Sequence, residues 1–491
     1  MSARVETLGI VWFRQDLRLA DNPALLDAHR QCDKVIALFI DDPMDQTVGQ
    51  LGAASKVWLY HALCTFNQSL EQAGGKLLVL RGDPLTLLTE LIASSGATRV
   101  CWNRCYDPLT RRRDEKIKKT LSSKTVKVGG NTEAVSVKSF NGLLLCEPWD
   151  LTKDDGNPYR VFTPFWRKLV QRLPGPAPLP KPRALNLFVP KQQPAGLEAI
   201  DALDLLPAIH WDQAMMQHWR VGEKYAKKRL NHFIENQVGN YGENRNIPGV
   251  EGTSRMSPHL HFGEISSRQI IHALHRKRRD VLEKDSDAEK YAREIGWREF
   301  ASHLIYHFPA MVSKPLDKRF EKFPWARKNP VSVQAWQAGQ TGVPIVDAGM
   351  RELWQTGWMH NRVRMIVASY LIKNLLVRWQ EGESWFRDTL VDADLASNAM
   401  GWQWVAGSGA DAAPFFRVFN PVLQGEKFDT QGEYVRYWVP ELRDVPTKYI
   451  HKPWELASEL RPADYPAPLV DLQQSRLRAL MAFDRIKASL S

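Results

Sequence analysis

The hydrophobic rhythm of this 491-residue chain changes part-way along, and that change limits what it can fold into. Through about residue 130, short apolar runs at 7–13, 34–40, 76–80, 98–102 and 125–128 alternate with amphipathic stretches at about 22–31, 53–73, 84–95 and 108–120. Strand-length apolar runs separated by helix-length segments are the pattern of βαβ units, whose strands lie parallel and are covered on both faces. From about residue 212 the period is helical, over 223–236, 266–280, 286–306, 345–356, 359–379 and 383–391, with Gly, Pro and Asn between the segments. The stretch between loses both rhythms and gathers proline, as in PGPAPLPKP at 174–182, which can form neither a regular helix nor a central strand. The expected fold class is therefore α/β. A five-stranded parallel-sheet, Rossmann-like domain spans 1–130, a long surface linker 131–210, and an all-helical domain 211–491, with an amphipathic helix at 470–488 packing back on the body.

Several functions lose weight at once. No GxGxxG turn follows the first strand and no GxxxxGK[ST] loop occurs, so the sheet lacks the usual dinucleotide and triphosphate signals. HExxH, CxxC pairs and recognisable Ser/His/Asp spacings are missing too, which argues against a metalloenzyme or hydrolase and leads us to expect no metal. All five cysteines precede residue 150, no signal-peptide pattern opens the chain and no apolar run approaches 18 residues. A reduced, cytoplasmic protein away from membranes is expected. The net charge of +11 permits a nucleic-acid partner without requiring one. Tryptophan is in surplus, and 13 of the 18 lie after residue 200, in the helical half.

Three segments of that half concentrate chemistry. In GTSRMSPHLHFGEIS at 252–266, the hydroxyls of Thr253, Ser254 and Ser257 with Arg255 precede a helix start; this suits phosphate oxygens, and equally an ordinary N-cap. In YAREIGWREF at 291–300, Glu294, Trp297 and Arg298 share one helix face. They offer a carboxylate beside an aromatic platform for a flat heterocycle, or an i,i+4 ion pair beside a core tryptophan. The third segment pairs GWMHNRVRM at 357–365 with DADLASNAMGWQW at 392–404. Arg364, Asp392, Asp394 and Asn398 in an apolar helical domain must pair with one another or with a polar ligand, because unpaired burial is costly. Trp402 and Trp404 flank one residue, so on a helix they diverge.

With VWFRQDLRLADNPAL at 11–25, TGWMHNRVRMIVASYLIK at 356–373 and FNPVLQGEKFD at 419–429, these segments resemble, in order and over nearly the whole chain, the DNA photolyase and cryptochrome family. The resemblance implies an antenna-binding α/β domain and a helical domain holding FAD in a U-shape. Tyr241, Thr253, Ser254, Arg255, Met256, Ser257 and Arg298 match positions that hold the cofactor. Arg364 matches the partner of Asp392 near the isoalloxazine, Asp394 a flavin-ring partner, and Asn398 the residue facing N5, where plant cryptochromes carry Asp. Glu294, Trp297, Asn361, Met365 and Trp404 match the pocket for a flipped-out lesion. Arg245, Arg362 and Arg417 match positions near DNA phosphates.

HNRVRM at 360–365 lacks the second His of enzymes acting on (6-4) photoproducts and resembles cyclobutane pyrimidine dimer (CPD) photolyases. The implied activity is a light-driven carbon–carbon lyase reaction on UV-damaged DNA, with one electron lent by excited FADH⁻. A cryptochrome-type blue-light receptor and a (6-4) photoproduct lyase are the alternatives. Trp402, Trp379 and Trp325 match the family's electron-transfer chain, although WARKNP at 325–330 is one residue longer than the pattern. Trp354, Trp358 and Trp385 are assigned to core packing. A second, antenna chromophore is implied, whether folate, deazaflavin or another. Leu109-Thr110 replaces the Asn-Glu pair of one folate-binding subgroup, so that folate site is not expected. A monomer is expected.

Overall fold

The computed structural model describes residues 6–42, 51–326, 330–412 and 416–488. Strands and helices alternate as expected: β1 Leu8–Phe13, α1 Pro23–Gln31, β2 Lys34–Asp41, α2 Ala53–Glu71, β3 Leu77–Arg81, α3 Pro84–Ser95, β4 Arg99–Asn103 and α4 Pro108–Ser122. Three of these helices begin alike. Asn22, Asp83 and Asp107 each precede a proline at the first helical position, and their side chains accept from the N–H of Leu25, Thr86 and Thr110. An Asx cap followed by proline supplies both the missing acceptor and a preset φ.

The sheet is parallel in the order β3-β2-β1-β4-β7, with β7 at Ser136–Phe140. Its fifth strand is thus not the expected 125–128. That segment is β5, Thr125–Val128, which pairs antiparallel with β6, Asn131–Ala134. Gly129 and Gly130 both take positive φ (54° and 89°), forming the two-residue hairpin turn that glycine favours. Side chains alternate across the sheet. Ile10, Trp12, Ile36, Leu38 and Trp102 pack against α3 and α4. Val11, Phe13, Ala37 and Phe39 pack against α1 and α2, and this core continues into Phe262, Trp358 and Val391 of the helical half. One face of the sheet therefore adjoins the body that carries the second half of the chemistry.

Part of the 131–210 segment does wrap the sheet: Asn186 and Phe188 bond to Val35, and Gly196 and Glu198 bond along the outer edge of β3. It also carries a helix that the proline content concealed, α5 Phe162–Val170, whose Phe162, Phe165, Trp166 and Leu169 are buried with the helices Glu223–Asn236, Ser267–Lys277 and Asp287–His307.

A second cluster joins the helices Pro344–Thr356, Asn361–Ser369, Trp379–Thr389 and Leu395–Ala406. The single helix expected over 359–379 is broken. After Ser369 the chain makes a π turn at Tyr370–Asn374, passes through Leu376 at φ +54°, and restarts at Trp379. The cause is tertiary: Asn374 donates to Ser475 and its carbonyl accepts from Arg478, both on the helix Leu472–Ala488. That C-terminal helix packs on the body as expected, with Ala479, Ala482 and Ile486 against Phe320, Phe323 and Phe416. Among the described residues no helix is long and apolar enough to cross a membrane.

Candidate functional site

A cavity of about 500 Å³ opens between the carboxyl ends of the strands and the helical half. Trp12, Phe39 and Asp41 line it from the sheet, and Arg298, Asp394 and Asn398 from the helical half. Asp394 is the N-cap of the helix Leu395–Ala406 and accepts from Ser397 N–H at 2.8 Å, which places Asn398 one turn further along the same wall. The Asn398 amide donates to the Glu383 carbonyl at 3.2 Å and to its carboxylate at 2.9 Å. Both amide hydrogens are thereby committed, and Oδ1 remains as an acceptor. Glu383 is buried, and that burial pushes its carboxyl up while Arg387 and Asn398 oppose the rise.

Arg364 donates to both oxygens of the buried Asp392, at 3.1 and 2.9 Å, and to the Met359 carbonyl at 2.8 Å. The expected Arg364–Asp392 pair is therefore present. Arg298 points into the same region, held at 3.2 Å from both the Leu143 carbonyl and the Ser267 hydroxyl. These donors and acceptors fit a flat, polar, anionic group such as a flavin. An orphaned group fits too: both ring nitrogens of His261 are buried on this wall without a hydrogen-bond partner.

Of the expected lesion and phosphate residues, Arg245, Glu294 and Arg362 lie near one another, away from the cavity. Glu294 and Arg298 do not pair, although one turn apart; the Glu294 carboxylate is held by Arg245 at 2.7 Å, and the Arg245 guanidinium lies 5.3 Å from the Tyr241 ring centre. Arg362 donates to Asn246 at 2.6 Å, sits over the Phe428 ring, and approaches the Met365 sulfur. The helix Asn361–Ser369 thus carries Arg362 toward Asn246 and Met365, and Arg364 toward Asp392. His360 caps it, accepting from Arg362 N–H at 3.2 Å; burial, then the surrounding arginines, hold its ring down to about 3, hence neutral. Trp297 stacks flat on Phe162, 3.7 Å between centres and 9° between planes. Trp404 donates to the Asp411 carbonyl and shares a recess with Arg417.

Tyr241 and the 253–257 segment lie off the cavity wall. Tyr241 is buried against Phe233 and Tyr291. Thr253 is half-buried beside Ser254, whose carbonyl accepts from Arg229, and Met256 is buried. Arg255, at φ +49°, covers Trp358, which donates to Ser257 at 3.4 Å.

Trp402 and Trp404 do diverge. Between them, Gln403 anchors the helix by donating to Met311 and Lys314 and accepting from Leu316. Trp402 is buried against Phe386 and over Gly382, where a Cβ would collide with the indole. Trp379 starts that same helix three residues earlier and is buried. Trp325 touches Phe323 between two core clusters; 327–329 of the lengthened segment lie outside the described residues. Trp358 is buried and Trp385 partly so, but Trp354, assigned above to the core, is 66% exposed and stacks parallel on Trp385. Sequence reasoning also missed Glu383, Phe162 and His261. The first two carry no local motif, and His261 sits in a quoted motif as an unremarkable residue of a short helix.

Two family models match: DNA photolyase over 9–183, and the FAD binding domain of DNA photolyase over 291–485. A deoxyribodipyrimidine photo-lyase of Agrobacterium fabrum is 47% identical over 97% of this chain and 98% of its own. Cryptochrome-2 of Arabidopsis thaliana is 36% identical over 97% of this chain and 79% of its own. Among solved structures, a class III photolyase from Agrobacterium tumefaciens superposes with a TM-score of 0.91 at 45% identity, covering 99% of both chains. A Synechocystis cryptochrome reaches 0.86 at 29% identity, covering 98% of this chain and 99% of its own. Likeness over this length, joined to a strand-end cavity walled by Asn398 and Asp394 beside an Arg364–Asp392 pair, establishes that the chain belongs to the DNA photolyase and cryptochrome family.

Proposed function

We propose that this chain repairs cyclobutane pyrimidine dimers in DNA by light, using FAD. The observation that carries the reading is the cavity lined by Arg298, Asp394 and Asn398, with Asp392, two residues before Asp394, held by Arg364. Bound there in its reduced form, FAD would supply the light-driven one-electron chemistry that opens the dimer.

The chain's own groups do the rest. Arg364 and Arg298 bring positive charge to the flavin side, Asp394 is the ring partner, and Asn398 offers Oδ1, since Glu383 occupies its amide hydrogens. Tyr241 and Thr253–Ser257 hold the remainder of the cofactor. In the lesion pocket, Trp297 backed by Phe162 gives a rigid apolar wall on one side of an extruded lesion, and Trp404 the other. Glu294, paired with Arg245, offers a carboxylate to the dimer's polar edge, while Asn361 and Met365 face it from the third helix. Arg245, Arg362 and Arg417 bind phosphates and position the strand without reading sequence. Trp402, Trp379 and Trp325 relay electrons that keep the flavin reduced. The sheet side of the cavity, with Trp12, Arg14 and Tyr106, suits a second pigment. A division into an α/β unit that runs past 130 to include β7, a linker ending near 210 and a helical unit, with a monomeric state and a cytoplasmic location, completes the reading.

The test is loss of thymine dimers from a UV-irradiated oligonucleotide under blue light by the photoreduced protein, with dark and (6-4)-containing controls. Repair of (6-4) products alone would overturn the specificity. Repair of neither, with FAD bound, would place the chain with the receptors.

A further inference from the structure

His261 stands out among the groups that the proposed mechanism leaves unused. Its imidazole is 6% exposed, it lines the cavity shared with Asp394, Asn398 and Arg298, and neither ring nitrogen has a partner. A buried imidazole forgoing both hydrogen bonds is costly unless something in the cavity supplies them. Burial holds the ring below its usual range, so it is neutral and presents one donor and one acceptor. Asp394, Asp392 and Arg298 are the charged groups acting on it, and Asp394 and Arg298 line the same cavity.

The surrounding turn fixes the ring in place. In the HLHFGE stretch, His259 bonds to Glu264, and Glu264 accepts from Trp58 of α2 at 3.1 Å. The Phe262 carbonyl accepts from Leu17 N–H at 3.1 Å, and the Gly263 carbonyl from Arg18 at 2.8 Å. Gly263 takes φ +63°, and a Cβ there would collide with the backbone of Gln15. The turn is thus clamped to the α/β half on every side, and the His261 ring enters the cavity from a rigid support.

We propose that His261 is a cofactor-binding residue: its free ring nitrogens hydrogen-bond the flavin held between Asp394, Asn398 and Arg298. This rests on the FAD reading above. A neutral donor beside an anionic reduced ring favours the reduced over the oxidised form, so His261 contributes to the midpoint potential as well as to retention.

The test uses full-length holoprotein, comparing His261→Phe, which fills the volume without hydrogen bonds, with His261→Asn, which keeps a donor and an acceptor. FAD dissociation is followed by flavin fluorescence and the midpoint potential by redox titration. The Phe variant is expected to lose FAD about tenfold faster and to show a lower potential, with Asn restoring much of both. Unchanged retention and potential in His261→Phe would overturn the inference, as would loss of a second pigment with the flavin untouched. A wild-type protein that binds no FAD would instead sink the parent reading, so the two failures are distinguishable.

Discussion

The contribution of Glu299 to stability should fall as pH rises from about 5 to 8. Its side chain is buried on the helix Asp287–His307; Oε2 accepts from Leu145 N–H at 2.7 Å, while Oε1 has no hydrogen-bond partner and lies 3.8 Å from Arg298. Burial pushes the carboxyl up from 4.5 to about 7, with Arg298 and the Leu145 bond opposing. Below 4.5 both folded and unfolded chains hold the proton, and the group costs nothing. Between 4.5 and about 7 the unfolded chain ionises first, so the folded state binds the extra proton and stability declines with pH. Above about 7 the full penalty is in place, about 3 kcal/mol at roughly 1.4 kcal/mol per pH unit. Asp347, raised by burial to about 6, acts in the same direction, whereas buried His303 and His360, held down to about 4 and about 3, act in the opposite one, because their unfolded imidazoles take up protons below about 6.5; the wild-type slope therefore has several sources of both signs. Comparison with Glu299→Gln isolates one of them, because the amide oxygen can still accept from Leu145. Urea unfolding of FAD-saturated protein at pH 5 and pH 8 should show the two proteins alike at pH 5 and the Gln variant about 2–3 kcal/mol more stable at pH 8. Parallel curves at both pH values would refute a raised Glu299.

Gly382→Ala should displace Trp402, costing about 1–3 kcal/mol through overpacking and slowing light-driven flavin reduction measured by absorbance. Trp402→Phe should abolish that photoreduction yet leave dimer repair intact when the flavin is reduced chemically; repair lost under those conditions would contradict a relay role. Arg364→Met strands the buried Asp392 charge, and a stability loss of about 3 kcal/mol is expected from chemical denaturation, with the Arg364→Met/Asp392→Asn pair recovering part of it. Trp297→Ala removes the plate stacked on Phe162 and should weaken binding of a dimer-containing oligonucleotide about tenfold or more in a filter or anisotropy assay, with little change for undamaged DNA.

The elements legible in the sequence are those whose burial is written locally. β1 to β4 are covered on both faces, so their apolar runs are continuous and their bounds fall within a residue or two of expectation. β7, by contrast, is half-polar SVKSF at a sheet edge, and TVKV resembles a strand just as well; only the glycine pair between 128 and 131 tells that the latter turns back as a hairpin. The helix Phe162–Val170 has apolar residues at 162, 165, 166 and 169, the spacing of one helix face, but surrounding prolines outweighed it. The break after Ser369 has neither glycine nor proline to announce it. It exists because Asn374 is claimed by a helix a hundred residues away.

The candidate site divides in the same way. The Arg364–Asp392 pair was legible through the family resemblance, whereas the charges alone left open whether they pair with one another or with a ligand. An Arg298 partner for Glu294 was one of two readings because that residue is one turn away, yet a half-buried carboxylate takes whichever cation the tertiary fold brings in at good geometry, and Arg245 arrives from the turn that follows Tyr241–Asn244. That exchange has a chemical consequence. It frees Arg298 to face the cavity beside His261 and Asp394, and it leaves the Glu294 carboxylate already balanced by Arg245, whose guanidinium also packs on Tyr241. A carboxylate so balanced can sit against an extruded dimer in the presence of phosphates without repelling them, which an unpaired Glu294 would do.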